Sequence, residues 1–359
     1  MRLASPVRRS SRRRARYLAA VAETRTDPLS LVNDGAIDAP CLADYLAEWA
    51  GNAPERQALA KLVVRIAETS IPLADRLMLG SLPGDPTAIV GTNESGDRQK
   101  ALDVGAHDHF VGAFGGVSVA RVLSEEAEEV IALDRDGFFD VAMDPIDGSG
   151  SIGIGAPLGA LFCVFPAGES FLRCGRDVIA AAYVSFGHTV DLGFSVGEGV
   201  VIATLDVRAR VFRIDNSDVT IPDDTSTIAF NASNLRRWGP GLRQYVNDLL
   251  QGTDGPRRRD FNMRWIAAAV GDLHRILRRG GVFLYPADSR PGNASGFLRL
   301  AYEAFPIAYL VEQAGGAASD GAGDILDLIP AGLHDRVPLF FGSTAEVARL
   351  RDYLSVSGS

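Results

Sequence analysis

The amino-acid sequence predicts a mixed α and β protein built in stacked layers. Runs of β-branched and aromatic residues alternate with segments whose apolar residues recur every three to four positions, and no segment repeats at a fixed period. The composition is that of a globular protein, with 47% hydrophobic and 23% charged residues, and no apolar run is long enough to cross a bilayer. A length of 359 residues predicts two domains or one large layered domain.

Residues 1–40 differ from the rest of the chain in composition. The first 16 residues hold seven arginines and no acid, and such blocks of like charge favour a disordered extension. A targeting segment or a nucleic-acid-binding arm would have a similar composition. Residues 26–40 are rich in turn formers. We therefore expect 1–40 to be a disordered extension and linker.

Helical patterns dominate the next part of the chain. Residues 41–50 and 58–80 carry apolar residues at helical spacing. The sequence predicts a loop over 81–97 and a further helix from about residue 98 to residue 114.

Strand patterns follow, bounded by Gly, Pro and Asp, at 119–126, 138–147, 160–167 and 177–187, and residues 200–214 are typical of a β-hairpin. Helices are then predicted at 241–252 and 263–281, a strand at 282–287 and a helix at 299–316.

The charge and the cysteines limit the classes of function. A net charge of −9 gives no support for a nucleic-acid partner or for an anionic membrane, and we expect neither. The three cysteines, Cys41, Cys163 and Cys174, are widely spaced and odd in number, which favours a reducing compartment over a disulfide scaffold. We expect a cytoplasmic protein.

Acidic residues recur where predicted strands end or predicted helices begin. Glu125 and Glu126 follow one strand pattern, and Asp144 and Asp147 end the next. An acid at the start of a helix is explained by the helix dipole alone. Paired acids directly after two buried strands are harder to explain in that way, because strand ends in layered folds open into the crevice where ligands bind.

The segment "DPIDGS" at 144–149 combines the features of a metal–phosphate site. Mg²⁺ prefers about six oxygen ligands, supplied by a few carboxylates and a substrate phosphate. We expect Pro145 to fix a turn in which Asp144, Asp147 and an intervening carbonyl face one ion. Gly148 would let the backbone approach a phosphate closely.

Six motifs carry a resemblance to a known family. They are "GDRQKALDV" (96–104), "LSEEAEE" (123–129), "DPIDGSGSI" (144–152), "FNMRW" (261–265), "GGVFLYP" (280–286) and "LRLAYEAFPIAYLVEQAGG" (298–316). Over residues 41 to 345 or so, the chain resembles class I fructose-1,6-bisphosphatase, of the Mg²⁺-dependent, lithium-sensitive sugar and inositol phosphatases. The resemblance implies a layered αβαβα sandwich with an N-terminal half at 41–220, a C-terminal half at 221–350, and a homotetramer or homodimer.

The resemblance also implies roles for individual residues. The implied metal ligands, for two or three Mg²⁺ with Mn²⁺ as a possible substitute, are Glu125, Asp144, Asp147, Glu303 and the carbonyl of Ile146. The implied water-activating pair is Asp97 and Glu126, with Asp103 in support. The 1-phosphate would be held by Gly148, Ser149 and Arg299. The 6-phosphate pocket would be lined by Asn231, Trp265 and Tyr285, with Arg264 reaching in from a neighbouring subunit.

The chain departs from the family pattern at three places. Phe297 stands where the family usually has a lysine that contacts the sugar and its 6-phosphate; Arg290 or Arg264 could supply the missing charge. Gly153 stands where the family has an acid in the outer shell of the site. Phe138 and Phe139 replace the Lys-Tyr pair of AMP-inhibited forms, which predicts weak or no inhibition by AMP.

The implied function is hydrolysis of the 1-phosphate of fructose 1,6-bisphosphate to fructose 6-phosphate, in gluconeogenesis or the Calvin cycle. The alternative is a sedoheptulose 1,7-bisphosphatase or an enzyme of dual specificity, because the two substrates share the 1-phosphate end. A catalytically retired sugar-phosphate-binding protein is a third hypothesis, motivated by Phe297 and Gly153. The expected partners are a sugar bisphosphate and further copies of the chain.

Overall fold

The computed structural model describes residues 31–92 and 98–356. The larger of two compact units begins at Ala39, and the helices and strands given below belong to it. The predicted disorder of the arginine-rich segment concerns residues that lie outside the described part, so it stays a prediction. Within the described part, every helix is too short or too polar to cross a bilayer.

Three helices and a short hairpin open the larger unit. The helices are α1 (Leu42–Ala50), α2 (Pro54–Met78) and α3 (Ala101–Ala113), and the hairpin strands are β1 (Ile89–Thr92) and β2 (Arg98–Lys100). The predicted loop over 81–97 therefore contains a strand, and the helix predicted from residue 98 begins three residues later. Both corrections have one cause: β1 and β2 pair in an antiparallel ladder, and this pairing holds Arg98–Lys100 extended.

The first large sheet has eight strands. They are β3 (Val119–Ser124), β4 (Ile131–Ala132), β5 (Phe139–Asp147), β6 (Leu158–Pro166), β7 (Ala180–Phe186), β8 (Val190–Ser195), β9 (Val201–Asp206) and β10 (Val211–Asn216). The spatial order is β10-β9-β8-β7-β6-β5-β3-β4, and β3 and β5 are parallel neighbours. The predicted hairpin over 200–214 is confirmed as β9 and β10.

The second sheet has the order β12-β11-β13-β17-β15. Its strands are β11 (Thr227–Phe230), β12 (Asn262–Met263), β13 (Val282–Tyr285), β15 (Ala317–Ser319) and β17 (Leu339–Gly342), and a separate pair is formed by β14 (Leu298–Arg299) and β16 (Arg336–Val337). The helices of this region are α4 (Pro240–Leu250), α5 (Ala269–Arg279), α6 (Phe305–Gln313) and α7 (Thr344–Val356).

Two predicted helices in this region begin later than expected. The helix predicted at 263–281 starts at Ala269, because Asn262–Met263 pairs with β11. The helix predicted at 299–316 is preceded by β14 and by a π-helical turn, Leu300–Ala304, which contains Glu303.

Three apolar cores define five layers. One face of the eight-stranded sheet, with Met143 and Phe162, packs against α1, α2 and α3. The other face, with Ala142 and Leu161, packs against α5 and α6, which also contact the second sheet. The outer face of the second sheet packs against α4 and α7. Neighbouring residues of β5 enter different cores because strand side chains alternate between faces. The predicted αβαβα sandwich is confirmed.

Candidate active site

Strand β5 carries Asp144 and Asp147 on a β-bulge. Asp144 pairs with Leu161 and Asp147 with Gly159, so β5 has one residue more than β6 between these pairs. Pro145 is tolerated there because a bulge removes the need for a ladder N–H. The prediction that Pro145 fixes a turn is therefore wrong. The chain turns at Gly148, whose φ of 81° lies in the left-handed region.

Four carboxylates, here called the acid quartet, meet beside this bulge: Glu125, Asp144, Asp147 and Glu303. Ligand oxygens of Asp144, Asp147 and Glu303 lie within 4.8 Å of one another, and all three residues are buried. Glu125 lies beside them, since its charge raises the pKa values of both Asp144 and Glu303. The Glu125 N–H donates to the Met143 carbonyl at 3.1 Å, which holds the end of β3 against β5.

Backbone N–H groups orient three members of the quartet. Asp144 Oδ1 accepts from the Ile146 N–H at 2.9 Å, and Glu303 Oε2 accepts from the Arg299 N–H at 2.5 Å. Asp147 Oδ2 accepts at 2.6 Å from the N–H of Val270, in the first turn of α5. Because the N-terminus of a helix carries partial positive charge, α5 favours the ionised form of Asp147.

Burial nevertheless dominates the titration of the quartet. It raises the pKa of Asp147 to about 6, although the Val270 N–H acts in the opposite direction. Burial, and then the charge of Glu126, raises the pKa of Glu125 to about 7. Burial followed by the charge of Glu125 raises the pKa values of Asp144 and Glu303 well above their usual range. The four groups are therefore costly to ionise together without an additional cation.

This donor set fits a hard divalent cation. Carboxylate oxygens are the ligands that such ions prefer, and the three buried acids already converge. The Arg299 guanidinium lowers the pKa values of Glu125 and Glu303, but burial and the neighbouring acids outweigh it. Ile146 is buried in the bulge, and the role implied for its carbonyl stays a prediction.

Glu126 lies next to the quartet, and Asp103 lies within electrostatic reach of Glu126. The Glu126 carboxylate accepts a hydrogen bond from Gln99 Nε2 at 2.7 Å. Burial, with a further contribution from Glu126, raises the pKa of Asp103 to about 6. Asp103 Oδ2 accepts from the Lys100 N–H at 3.2 Å, whereas the buried Oδ1 has no hydrogen-bond partner. Asp97, the other residue implied to activate water, lies outside the described residues.

The turn after β5 is suited to an anion. Gly148 is followed by a short 3₁₀ turn, Ser149–Ser151, and a Cβ on Gly148 would lie 2.5 Å from the Cβ of Ala268. Only glycine therefore allows this turn to approach the start of α5 so closely. Arg299 is buried, and its guanidinium donates to the His334 carbonyl at 3.2 Å.

The residues implied to hold the 6-phosphate include two members of an aromatic cluster. Trp265 stacks on Phe283 at 5.4 Å, and Tyr285 lies at 5.0 Å from Phe297, measured between ring centroids. Burial, followed by the charge of Glu303, raises the pKa of Tyr285 to about 12. The effect of Glu303 shows that Tyr285 lies within electrostatic reach of the quartet.

Three polar residues near this region have defined environments. Asn231 Oδ1 accepts from the Ser233 N–H at 3.1 Å and so caps its own turn. Arg264 is exposed, and its backbone N–H donates to the carbonyl of Ile228, a residue of β11, at 2.8 Å. Arg290 is paired with Asp288, which leaves it less suited to supply the charge that Phe297 lacks. The substrate-binding roles of these residues stay predictions.

Sequence reasoning missed the contributions of Gln99, Lys100 and the Val270 N–H. Lys100 Nζ donates to the Ser149 carbonyl at 2.5 Å, across 49 positions of sequence. Lys100 is one of only two lysines in the chain, the other being Lys61. This rarity is the one feature of the sequence that could have drawn attention to Lys100. A backbone donor such as Val270 leaves no signal in the sequence.

Comparisons with known proteins agree with this geometry. The family models for the N-terminal and C-terminal domains of fructose-1-6-bisphosphatase match residues 65–216 and 221–355. A Brucella anthropi protein named fructose-1,6-bisphosphatase class 1 is 50% identical over 331 residues, which cover 91% of this chain and 97% of that protein. A Brucella suis protein of the same name is 50% identical over 329 residues, with the same coverage.

Solved structures give the same result. The crystal structure of Leishmania major fructose-1,6-bisphosphatase in holo form superposes with a TM-score of 0.82 at 28% identity, covering 88% of this chain and 99% of that one. The apo form of that protein has a TM-score of 0.78 at 27% identity, with the same coverage. These matches show that the chain belongs to the class I fructose-1,6-bisphosphatase family.

Proposed function

We propose that the protein hydrolyses the 1-phosphate of D-fructose 1,6-bisphosphate to give fructose 6-phosphate and inorganic phosphate. The observation that carries this function is the acid quartet, which lies beside the anion-compatible turn at Gly148 and next to Glu126. Converging carboxylates whose pKa values are raised by burial, and for Glu125, Asp144 and Glu303 also by neighbouring acids, are typical of a functional site.

The quartet, with the carbonyl of Ile146, is the proposed site of two or three Mg²⁺, for which Mn²⁺ could substitute. The chemistry supplied by bound Mg²⁺ is polarisation of the phosphoryl group and a lower pKa for the attacking water. The chain's own residues position the acids, through the N–H groups of Ile146, Val270 and Arg299. Because burial raises the pKa values of Asp144 and Asp147, a bound cation would offset the cost of ionising them.

The remaining residues have proposed roles in proton transfer and substrate binding. Glu126 takes the proton of the attacking water, with Asp97 as its partner and Asp103 in support. Gly148, Ser149 and Arg299 bind the 1-phosphate, where the left-handed turn and the buried guanidinium offer donors and positive charge. Asn231, Trp265 and Tyr285 bind the distal end of the sugar.

We also propose an assembly and a division of the chain. The exposed Arg264 is suited to reach a neighbouring subunit, so a homotetramer or homodimer is proposed. A boundary near residue 220, between halves at 41–220 and 221–350, is supported by the gap between the two domain matches. A cytoplasmic location is proposed from the three free cysteines.

Phosphate release from the purified protein tests the function. The assay compares fructose 1,6-bisphosphate, sedoheptulose 1,7-bisphosphate and inositol monophosphate, each with Mg²⁺ and with EDTA. We expect metal-dependent release that is fastest with the fructose substrate. Faster release from the seven-carbon sugar would show that Phe297 redirects specificity, and release from neither bisphosphate would contradict the proposal.

A further inference from the structure

We propose that Gln99 positions Glu126 for water activation. Nothing in the sequence patterns or in the family resemblance assigns Gln99 a role. The inference rests on the proposed function, because it concerns the residue that receives the proton of the attacking water. Gln99 itself is a positioning residue that acts through Glu126.

A single amide group holds Glu126 at two points. Gln99 Nε2 donates to Glu126 Oε2 at 2.7 Å and to the Glu126 carbonyl oxygen at 2.9 Å. Two N–H donors are available on an NH₂ group, so both bonds form at once. This arrangement fixes the carboxylate relative to its own backbone, and it therefore restricts the side-chain rotamers of Glu126.

The neutral charge of this donor matters in an acidic environment. The charge of Glu126 acts on both Glu125 and Asp103, so its carboxylate lies in an acidic environment. An arginine or lysine at position 99 would instead form an ion pair with Glu126. The neutral amide of Gln99 orients the carboxylate and lowers its basicity less than such an ion pair would.

Strand β1 leaves space for the Gln99 side chain. Gly91 is paired with Gln99 in the β1–β2 ladder, and a Cβ on Gly91 would lie 2.8 Å from Gln99 Oε1. Any larger residue at position 91 would therefore displace the amide. On the adjacent residue of β2, Lys100 Nζ donates to the Ser149 carbonyl at 2.5 Å. One short strand thus contacts Glu126 through one side chain and the proposed phosphate-binding turn through the next.

Steady-state kinetics of Gln99 variants test the proposal. Gln99→Met keeps the length of the side chain and removes both donors, and Gln99→Glu replaces them with a charge next to Glu126. Because a hydrogen bond to a charged group is lost, we expect kcat to fall about tenfold or more in both variants, with KM for fructose 1,6-bisphosphate within about twofold. Gln99→Asn, which keeps the amide on a shorter chain, should recover part of the loss. Arg98→Met, on an exposed neighbour in β2, is the matched control and should leave kcat unchanged.

A double-mutant cycle separates positioning from general damage. Gly91→Ala should lower kcat by displacing the amide, and it should cause no further loss in a Gln99→Met background. The half-saturating Mg²⁺ concentration and the melting temperature should stay at the parent values. A Gln99→Met enzyme with kcat within twofold of the parent would overturn the proposal, and so would a fall in kcat that comes with a lower melting temperature. A parent enzyme without metal-dependent turnover would contradict the proposed function itself. An active parent together with an equally active Gln99→Met variant would contradict only the role of Gln99.

Discussion

Replacing Asp147 by asparagine should stabilise the metal-free protein while abolishing its activity. The pKa of Asp147 rises from 3.8 to about 6 on folding, chiefly through burial. Unfolded Asp147 loses its proton near pH 4, whereas the folded metal-free protein keeps it until about pH 6. Between these values the folded state binds more protons, so its stability falls as the pH rises.

The difference of about 2.2 pH units corresponds to about 3 kcal/mol of stability lost above pH 6, at about 1.4 kcal/mol per unit. The raised pKa of Asp147 is the net effect of burial and of the favourable hydrogen bond from Val270. A neutral amide at position 147 avoids the cost of a buried charge, so it should recover most of the roughly 3 kcal/mol of stability. The assay is urea unfolding in EDTA at pH 3.5, 6 and 8. Asp147→Asn should gain stability relative to the parent as the pH rises, and Mg²⁺ should then stabilise the parent far more than the variant.

Asp136→Asn removes an exposed carboxylate and serves as the control, with no pH-dependent difference expected. If Asp147→Asn and the parent differ by the same amount at every pH, burial of the Asp147 charge is not costly. The acid quartet would then not require a cation.

Four further predictions concern activity. Glu126→Gln should lower kcat about a hundredfold or more, because the proton acceptor is lost, while isothermal titration still detects substrate binding; unchanged kcat would exclude Glu126 as the base. Gly148→Ala should lower the stability by about 1–3 kcal/mol in thermal melts and remove most of the activity, because the φ of Gly148 is 81° and a Cβ there would clash with Ala268. A variant with the stability and activity of the parent would contradict this. Phe297→Lys should lower KM for fructose 1,6-bisphosphate about tenfold by adding a charge near Tyr285, and an unaltered KM would place Phe297 outside the binding pocket. AMP at micromolar concentration should leave turnover of the purified enzyme unchanged, and inhibition would refute the interpretation of Phe138 and Phe139.

The sequence predicts most of the long elements because their signals are local. The apolar spacing of α2 and the runs that form β5 to β7 agree with the structure to within a few residues. Strands β8, β11, β15 and β17 are not predicted, and neither is α7. The four strands have only three to six residues each, which leaves a weak local pattern. Strands β11, β15 and β17 are determined by pairing with strands distant in sequence, whereas β8 pairs with its sequence neighbours β7 and β9.

The acids of the site could be found in the sequence, but the structure that orients them could not. Asp144 and Asp147 are recognisable as paired acids at a strand end, whereas the bulge that brings them together depends on the register with β6. The bonds from Val270 to Asp147 and from Gln99 to Glu126 span 123 and 27 positions. Such contacts arise from tertiary packing and leave no spacing pattern in the chain.

If the acid quartet serves metal-dependent removal of the 1-phosphate, ³¹P NMR of the reaction will identify which phosphate is released. With fructose 1,6-bisphosphate and Mg²⁺, we expect the resonance of the 1-phosphate to disappear while the 6-phosphate resonance persists and inorganic phosphate appears. EDTA or the Asp144→Asn substitution should stop the reaction. Loss of the 6-phosphate resonance instead, or equal turnover in EDTA, would show that the acid quartet does not serve metal-dependent removal of the 1-phosphate.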